Sequence, residues 1–324
     1  MKLELTNILC CPQTGQQLSV EGQLSSVVEE GWLVSEDKSR RYPVRNGIPR
    51  FVPESNYASN FGMQWNHFRT TQLDSCSGHP ISADRFWKAT NWNAEDLRDR
   101  WVLDAGCGAG RFAEVALKAG AKVVALDYSS SVDACLANLR EHPNLHVVQG
   151  DIYALPFKPS KFAFVYSLGV LQHTPDVARA FASLPPMLEP GGHLCVDFYA
   201  KSWRELVHAK FWLRPLTTRV PQHRLFSILQ ASVPVLLPIS RVVKLLPGAG
   251  PALSRLIPVV NYYGVFPLNR SQQLEWSLLD TFDWLAPVYD QPQTAETAYR
   301  WLKLANIQNI EVLKAGHLVA RGQR

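Results

Sequence analysis

Val102-Leu103-Asp104-Ala105-Gly106-Cys107-Gly108-Ala109-Gly110-Arg111 sets three alternate glycines directly after an apolar run. It predicts a strand, a Gly-x-Gly-x-Gly turn, and a helix opening at Arg111. Glycine suits such a turn because the backbone bends tightly and approaches a ligand with no Cβ in the way. The dinucleotide-binding fingerprint starts alike but needs its third glycine at position 111, which is arginine here. Asp104 precedes the first glycine by two residues. A carboxylate there suits a ligand bearing an ammonium group and repels a pyrophosphate.

Outward from this turn, WVLDA, KVVALD, LHVVQG, FAFVYSL and HLCVDFY form near-continuous apolar runs across 101–200. Such runs fit parallel strands covered on both faces. GRFAEVALKAG and SSVDACLANLREH carry helical patterns between them. The alternation predicts an α/β fold with a doubly wound, Rossmann-like sheet. It stops after Tyr199 and resumes at 294–324 with a Thr294-capped helix. NIEVLKA and HLVARG, parted by Gly316, then predict a closing antiparallel hairpin at the sheet edge. Residues 1–55 read as a small β-rich module, 56–100 as an aromatic-rich helical lid or linker, and 201–293 as a helical insertion after the fifth strand. At 324 residues, 46% hydrophobic and 19% charged, the chain has ample material for a core, which excludes wholesale disorder.

Further landmarks follow the glycine turn in order. The second strand ends in Asp127-Tyr128, twenty-one residues after Gly106, where an acid holds both hydroxyls of a ribose. The third ends in Gly150-Asp151-Ile152, an acid and an apolar side chain suited to the amino group and face of an adenine. Leu188-Glu189-Pro190-Gly191-Gly192 precedes the fifth strand. Together these residues resemble the class I S-adenosylmethionine-dependent methyltransferases over about 100–200. The resemblance implies S-adenosyl-L-methionine as cofactor. It assigns Asp104 and the turn of Gly106, Cys107, Gly108 and Gly110 to the methionine portion, Asp127 with Tyr128 to the ribose side, and Asp151 with Ile152 to the adenine. It puts Ser167 beside the methyl group. The competing reading is a doubly wound domain that binds another nucleotide or nothing.

The fourth strand continues into Val170-Leu171-Gln172-His173. The Asn/Asp-Pro-Pro-aromatic motif of nucleic-acid amine methyltransferases is missing there, as is a paired-acid motif for magnesium. The Val-Leu-x-His ending resembles small-molecule and quinone-type methyltransferases. His173 has a side chain suited to proton removal near neutrality, or to ordering its loop by local hydrogen bonds. Tyr199, at the end of the fifth strand, is the other catalytic candidate. In the link Tyr57–Phe68, Gln64 and Trp65 read as lid residues over the cofactor or as one face of a packed amphipathic helix. Arg85 and Arg111 are candidates for the cofactor carboxylate.

Leu9-Cys10-Cys11-Pro12-Gln13-Thr14 and Arg41-Tyr42-Pro43-Val44-Arg45-Asn46-Gly47-Ile48-Pro49 resemble a small zinc-ribbon-like domain found alone as a methyltransferase activator or fused ahead of methyltransferases. Structural zinc needs two thiolate pairs. Thr14 stands where a partner of Cys11 belongs, and Ser35 and Lys38 occupy the second pair. The expectation is a metal-free docking remnant packed around Trp32, Tyr42, Ile48 and Phe51.

The net charge of +5 is unevenly placed. Residues 206–274, between Glu205 and Glu275, hold eight basic residues, eight prolines and no acid. Apolar runs with basic residues suit a lipid-like or polycyclic acceptor and peripheral contact with an anionic membrane. An RNA surface and a helical cap with solvated arginines are the alternatives; nucleic acid is disfavoured by the high apolar content. A third reading is a non-catalytic cofactor-binding activator of a partner protein. Asp283 and Tyr289 are further candidates to border an acceptor. The uncharged stretch Leu225–Ser240 carries Pro234 and Pro238 and falls short of the ~20 residues of a membrane span. Six scattered cysteines and the start MKLELTNILCCPQTG predict a cytoplasmic, reducing-compartment protein. The oligomeric state is left open.

Overall fold

The computed structural model describes residues 1–22, 26–53, 58–201 and 208–324. Strands β1 (Leu18–Glu21), β2 (Gly31–Ser35), β3 (Arg41–Arg45) and β4 (Ile48–Pro49) pair in sequence order as one antiparallel sheet. Helices α1 (Ser59–His67), α2 (Asp74–Ser77), α3 (Ile81–Thr90) and α4 (Ala94–Leu97) follow. The alternating region gives β5 (Trp101–Ala105), α5 (Arg111–Lys118), β6 (Lys122–Asp127), α6 (Ser131–Leu139), β7 (Leu145–Gln149), β8 (Phe162–Ser167), α7 (Val177–Ala182) and β9 (Leu188–Phe198). Then come α8 (Ala209–Thr217), α9 (Gln222–Lys244), α10 (Gly250–Leu253) and α11 (Arg270–Leu285). The chain closes with α12 (Ala295–Leu304), β10 (Gln308–Ala315) and β11 (His317–Gln323).

These elements belong to two units: Met1–Arg69 with Ser82–Ala200 and Gln291–Arg324, and Thr70–Ile81 with Lys201–Asp290. The first unit holds a seven-stranded sheet in the order β10-β11-β9-β8-β5-β6-β7. Strands β5 to β9 are parallel, and β11 runs antiparallel to both β9 and β10. This is the doubly wound sheet with a reversed last strand that the alternation predicts. β7 and β8 are buried at every position, which is why their sequences show no polar alternation. The Thr294 side chain caps α12 by accepting from the Thr297 amide at 3.1 Å. β9 begins at Leu188, five residues before the HLCVDFY run. Leu188-Gly192 is therefore its first part, with a register shift against β8 between Phe162 and Phe164.

The N-terminal module is continuous with this unit. Its buried Leu5, Leu9, Leu18, Leu33 and Val44 join one apolar cluster with Leu126, Val148, Leu155 and Phe157. Arg50 bridges Gln149 in parallel, and the Phe51 amide donates to the Gln149 carbonyl at 2.8 Å. The module thus covers edge strand β7, whose backbone groups would otherwise offer a pairing surface. Tyr42, Ile48 and Phe51 pack as expected, but Trp32 does not: it is 41% exposed, with the Arg41 guanidinium over its ring. Its place on β2 points it away from the core that Leu33 enters, since neighbouring strand residues face opposite sides. Cys11 Sγ lies 3.2 Å from the Tyr42 hydroxyl, and Ser35 donates to Asp37 at 2.7 Å.

In the second unit α9 packs on α11 with Leu225, Leu229, Val233 and Leu237 buried at helical spacing. Asn269 and Gln272 form a reciprocal capping box at the start of α11. The prolines do not interrupt α9. The helix runs unbroken for 23 residues through Pro234 and Pro238, both at exposed positions. By length and composition it is apolar enough to cross a membrane, with a mean hydropathy of 1.6 over 18 residues. Glu205 and Tyr57 lie outside the described residues.

Candidate active site

The chain leaves β5 towards β6 and β7 on one side and returns to β8 on the other. A crevice opens at the carboxyl ends of the strands where a sheet reverses in this way. The glycine turn lies there. Gly106, Gly108 and Gly110 all have positive φ, at +97°, +52° and +92°. A Cβ on Gly106 would fall 2.4 Å from the Val170 side chain, and one on Gly110 2.7 Å from Leu139. The turn is therefore closed to any other residue by conformation and by space.

Asp104, next to last in β5, is almost wholly buried beside Tyr166, and its Oδ2 lacks a hydrogen bond of good geometry. Burial pushes its carboxyl up to about 8 against the opposing pull of the Tyr166 hydroxyl, and the nearby Asp127 charge adds to the rise. A buried acid of this kind gains a partner when a cationic group enters beside it. Asp127 is held in place: Oδ2 accepts from the Gly108 amide at 3.0 Å, and Oδ1 from the amide and hydroxyl of Ser129, both at 2.8 Å. It ties the second strand end to the glycine turn. Asp151 accepts from the Tyr153 amide at 2.9 Å, beside the buried Ile152. Tyr128 follows Asp127 directly at the end of β6, and burial, then the Asp151 charge, raise its hydroxyl. Cys107 is buried inside the turn, and burial raises its thiol. Ser167 has no exposed surface, and its hydroxyl donates to the Ala105 carbonyl at 2.7 Å, pinning β8 to β5.

Helix α1 covers the turn. The Trp65 ring lies 3.2 Å from where a Gly108 Cβ would stand, and Gln64 beside it is buried. Asn60, on the same helix, is buried with neither side-chain polar atom hydrogen-bonded. Only the amide-rich composition of the link marks it in the sequence.

A second cluster sits on β9 and its neighbours. Asp197 is buried, receives the Gly169 amide, and pairs with Arg85 at 2.7 Å and with His317 at 3.6 Å. Burial alone would raise its carboxyl, but the Arg85 guanidinium and the Gly169 amide it accepts from hold it below the usual range. Burial, followed by the Arg85 charge, lowers His317 to about 4, so its ring is neutral. Tyr199 stacks edge-on between His317 and His173, at centroid distances of 5.3 and 5.4 Å. His173 also meets Phe61 of α1 at 5.4 Å. The two catalytic candidates are thus neighbours. Arg85 is engaged by Asp197, and Arg111 donates to Ser82 at 3.2 Å.

Arg50 is a further residue that sequence reading misses. It pairs with Asp133 of α6 at 2.6 Å and donates to Gln149 Oε1 at 2.8 Å, while Gln149 Nε2 donates to the Tyr128 carbonyl at 3.2 Å. The N-terminal module therefore reaches the strand end that carries Asp127 and Tyr128.

Residues 103–196 match the methyltransferase domain family, and residues 2–47 the Trm112p-like protein family. The chain carries a methyltransferase domain. The ubiquinone biosynthesis O-methyltransferase of Coxiella burnetii (strain Dugway 5J108-111) is 32% identical over 100 residues, 30% of this chain and 43% of that protein. Its namesake in Serratia proteamaculans (strain 568) is 28% identical over 140 residues, 41% of this chain and 58% of that one. The chain thus spans about half the length of these curated relatives. An O-methyltransferase family protein from Burkholderia thailandensis overlays 80% of this chain and 59% of its own at 11% identity, with a TM-score of 0.45. The methyltransferase domain fits S-adenosylmethionine in its donor set: a buried carboxyl with its Oδ2 open to an ammonium, a cradle without Cβ atoms, and a second acid at the next strand end.

Proposed function

We propose that the chain is an S-adenosylmethionine-dependent methyltransferase that methylates oxygen or carbon of a small apolar, lipid-like acceptor. The observation that carries the cofactor reading is the buried Asp104 carboxyl, with its Oδ2 open to a donor, under the glycine turn of a methyltransferase domain. Asp104 would hold the ammonium, Asp127 the ribose hydroxyls, and Asp151 with Ile152 the adenine. When bound, the cofactor supplies a methyl group on a sulfonium. The protein's own contribution to an in-line displacement is mostly positioning and exclusion of water. Trp65 and Gln64 on α1 shield the turn. His173 and Tyr199 stand together at the β8 and β9 ends, where an acceptor hydroxyl would lose its proton to the imidazole.

The relatives named for ubiquinone biosynthesis support an acceptor of quinol type. An RNA surface is less well supported. Of the eight basic residues of 206–274, Lys210 pairs with Asp290 at 3.3 Å and Arg214 donates to the Trp284 and Pro287 carbonyls. They hold the helical unit together. Incubation of the full chain with cofactor and, in parallel, a lipid extract and total RNA, read by mass spectrometry, tests the reading. A catechol- or quinol-type product gaining one methylene is expected. Methylation confined to RNA, with no lipid product, would overturn it.

A further inference from the structure

Helix α9 carries two apolar stripes, and only one is used inside the protein. Leu225, Leu229, Val233 and Leu237 are buried in the helical unit. Ile228, Val235, Ile239 and Val242, with Leu246 just past the helix end, are between 47% and 64% exposed. Their spacings of seven, four, three and four residues keep them on one face of a helix. The row is about 27 Å long. Soluble monomers seldom expose so long a contiguous apolar row. Leu245, Leu253 and Leu256, exposed by 44% or more, extend the apolar surface beyond α9.

Charge identifies the occupant. Residues 206–274 contain no acid, and Arg219, Arg224, Arg241 and Arg255 are all exposed. A row of leucine, isoleucine and valine beside arginines and no carboxylates fits the boundary between acyl chains and anionic headgroups. A second copy of the chain fits poorly, because a two-fold contact through this face would bring like charges together. A membrane-spanning arrangement fits poorly as well. The inner stripe of α9 is packed on α11, which carries Glu275, Asp280 and Asp283 and would be drawn into the hydrocarbon with it.

We propose that α9 lies in the surface plane of an anionic phospholipid bilayer, with Ile228, Val235, Ile239, Val242 and Leu246 buried among the acyl chains and the exposed arginines on the headgroups. This docking goes beyond the methyl-transfer reading and does not depend on it. The test is flotation of the full chain with vesicles of phosphatidylcholine alone or mixed with phosphatidylglycerol. The protein floats with the anionic vesicles, stays behind with the neutral ones, and is released by high salt. A Val235→Asp, Val242→Asp double variant loses vesicle affinity at least tenfold while its circular dichroism, melting temperature and cofactor binding match the parent, since both side chains are exposed. Failure of the parent to float, or equal flotation of the double variant, overturns the proposal. Resistance to alkaline carbonate extraction overturns it in favour of a span. A concentration-dependent dimer that the double variant abolishes, without vesicle binding, overturns it in favour of self-association.

Discussion

Burial holds the Asp104 carboxyl at about 8, so near neutral pH the free protein keeps it mostly protonated. The unfolded chain, with the ordinary carboxylate value of 3.8, has lost that proton long before. Protons bound by the folded state and not by the unfolded one make stability fall as pH rises. The free protein therefore loses stability from about pH 4 to about pH 8, and an ammonium group that keeps Asp104 ionised removes the trend. Asp104→Asn should flatten the melting temperature across this window. It should also weaken cofactor binding by about 10- to 100-fold, the scale of a lost hydrogen bond to a charged group. A variant that keeps the parent's pH dependence would show that another acid is responsible. Asp104, Asp127 and Asp151 are legible in the sequence because each ends an apolar strand. Asp197 ends one too, in HLCVDFY, but its partners Arg85 and His317 lie more than a hundred residues away and only the fold brings them together.

Among the elements, strands β5 to β8 and the second half of β9 could be read directly, since burial on both faces leaves a continuous apolar run. Helix α9 could not. A proline inside a helix removes a backbone hydrogen bond and costs about 3 kcal/mol, which makes Pro234 and Pro238 look like breaks. The helix persists because Leu225, Leu229, Val233 and Leu237 are buried around both sites, a tertiary contribution that local propensity does not contain. Pro234 is exposed, so replacing it removes no core packing. Pro234→Ala should raise stability by about 1–3 kcal/mol, seen as a higher denaturant midpoint. A lower midpoint would mean that the proline fits a bend the unit requires. Trp32 shows the opposite error: aromatic size suggests core, but strand alternation sends it outward.

Across the whole molecule, the charge of +5 resolves into parts with different work to do. Lys210 and Arg214 bind the helical unit internally, while Arg219, Arg224, Arg241 and Arg255 remain at its surface. The Trm112p-like module does not stand apart. It shares the core of the methyltransferase domain and, through Arg50 and Gln149, steadies the Asp127–Tyr128 strand end. Composition could place the module and the insertion in the chain, but the docking of one on β7 depends on contacts across a hundred residues. The central claim is that the glycine turn and its acids hold S-adenosylmethionine. Isothermal titration of the full chain near pH 7, with S-adenosylmethionine and with its demethylated product, in buffers of different ionisation enthalpy, tests it most directly. The predicted result is saturable one-to-one binding with a proton released to the buffer, and loss of that release in Asp104→Asn. No binding to either compound would contradict the claim.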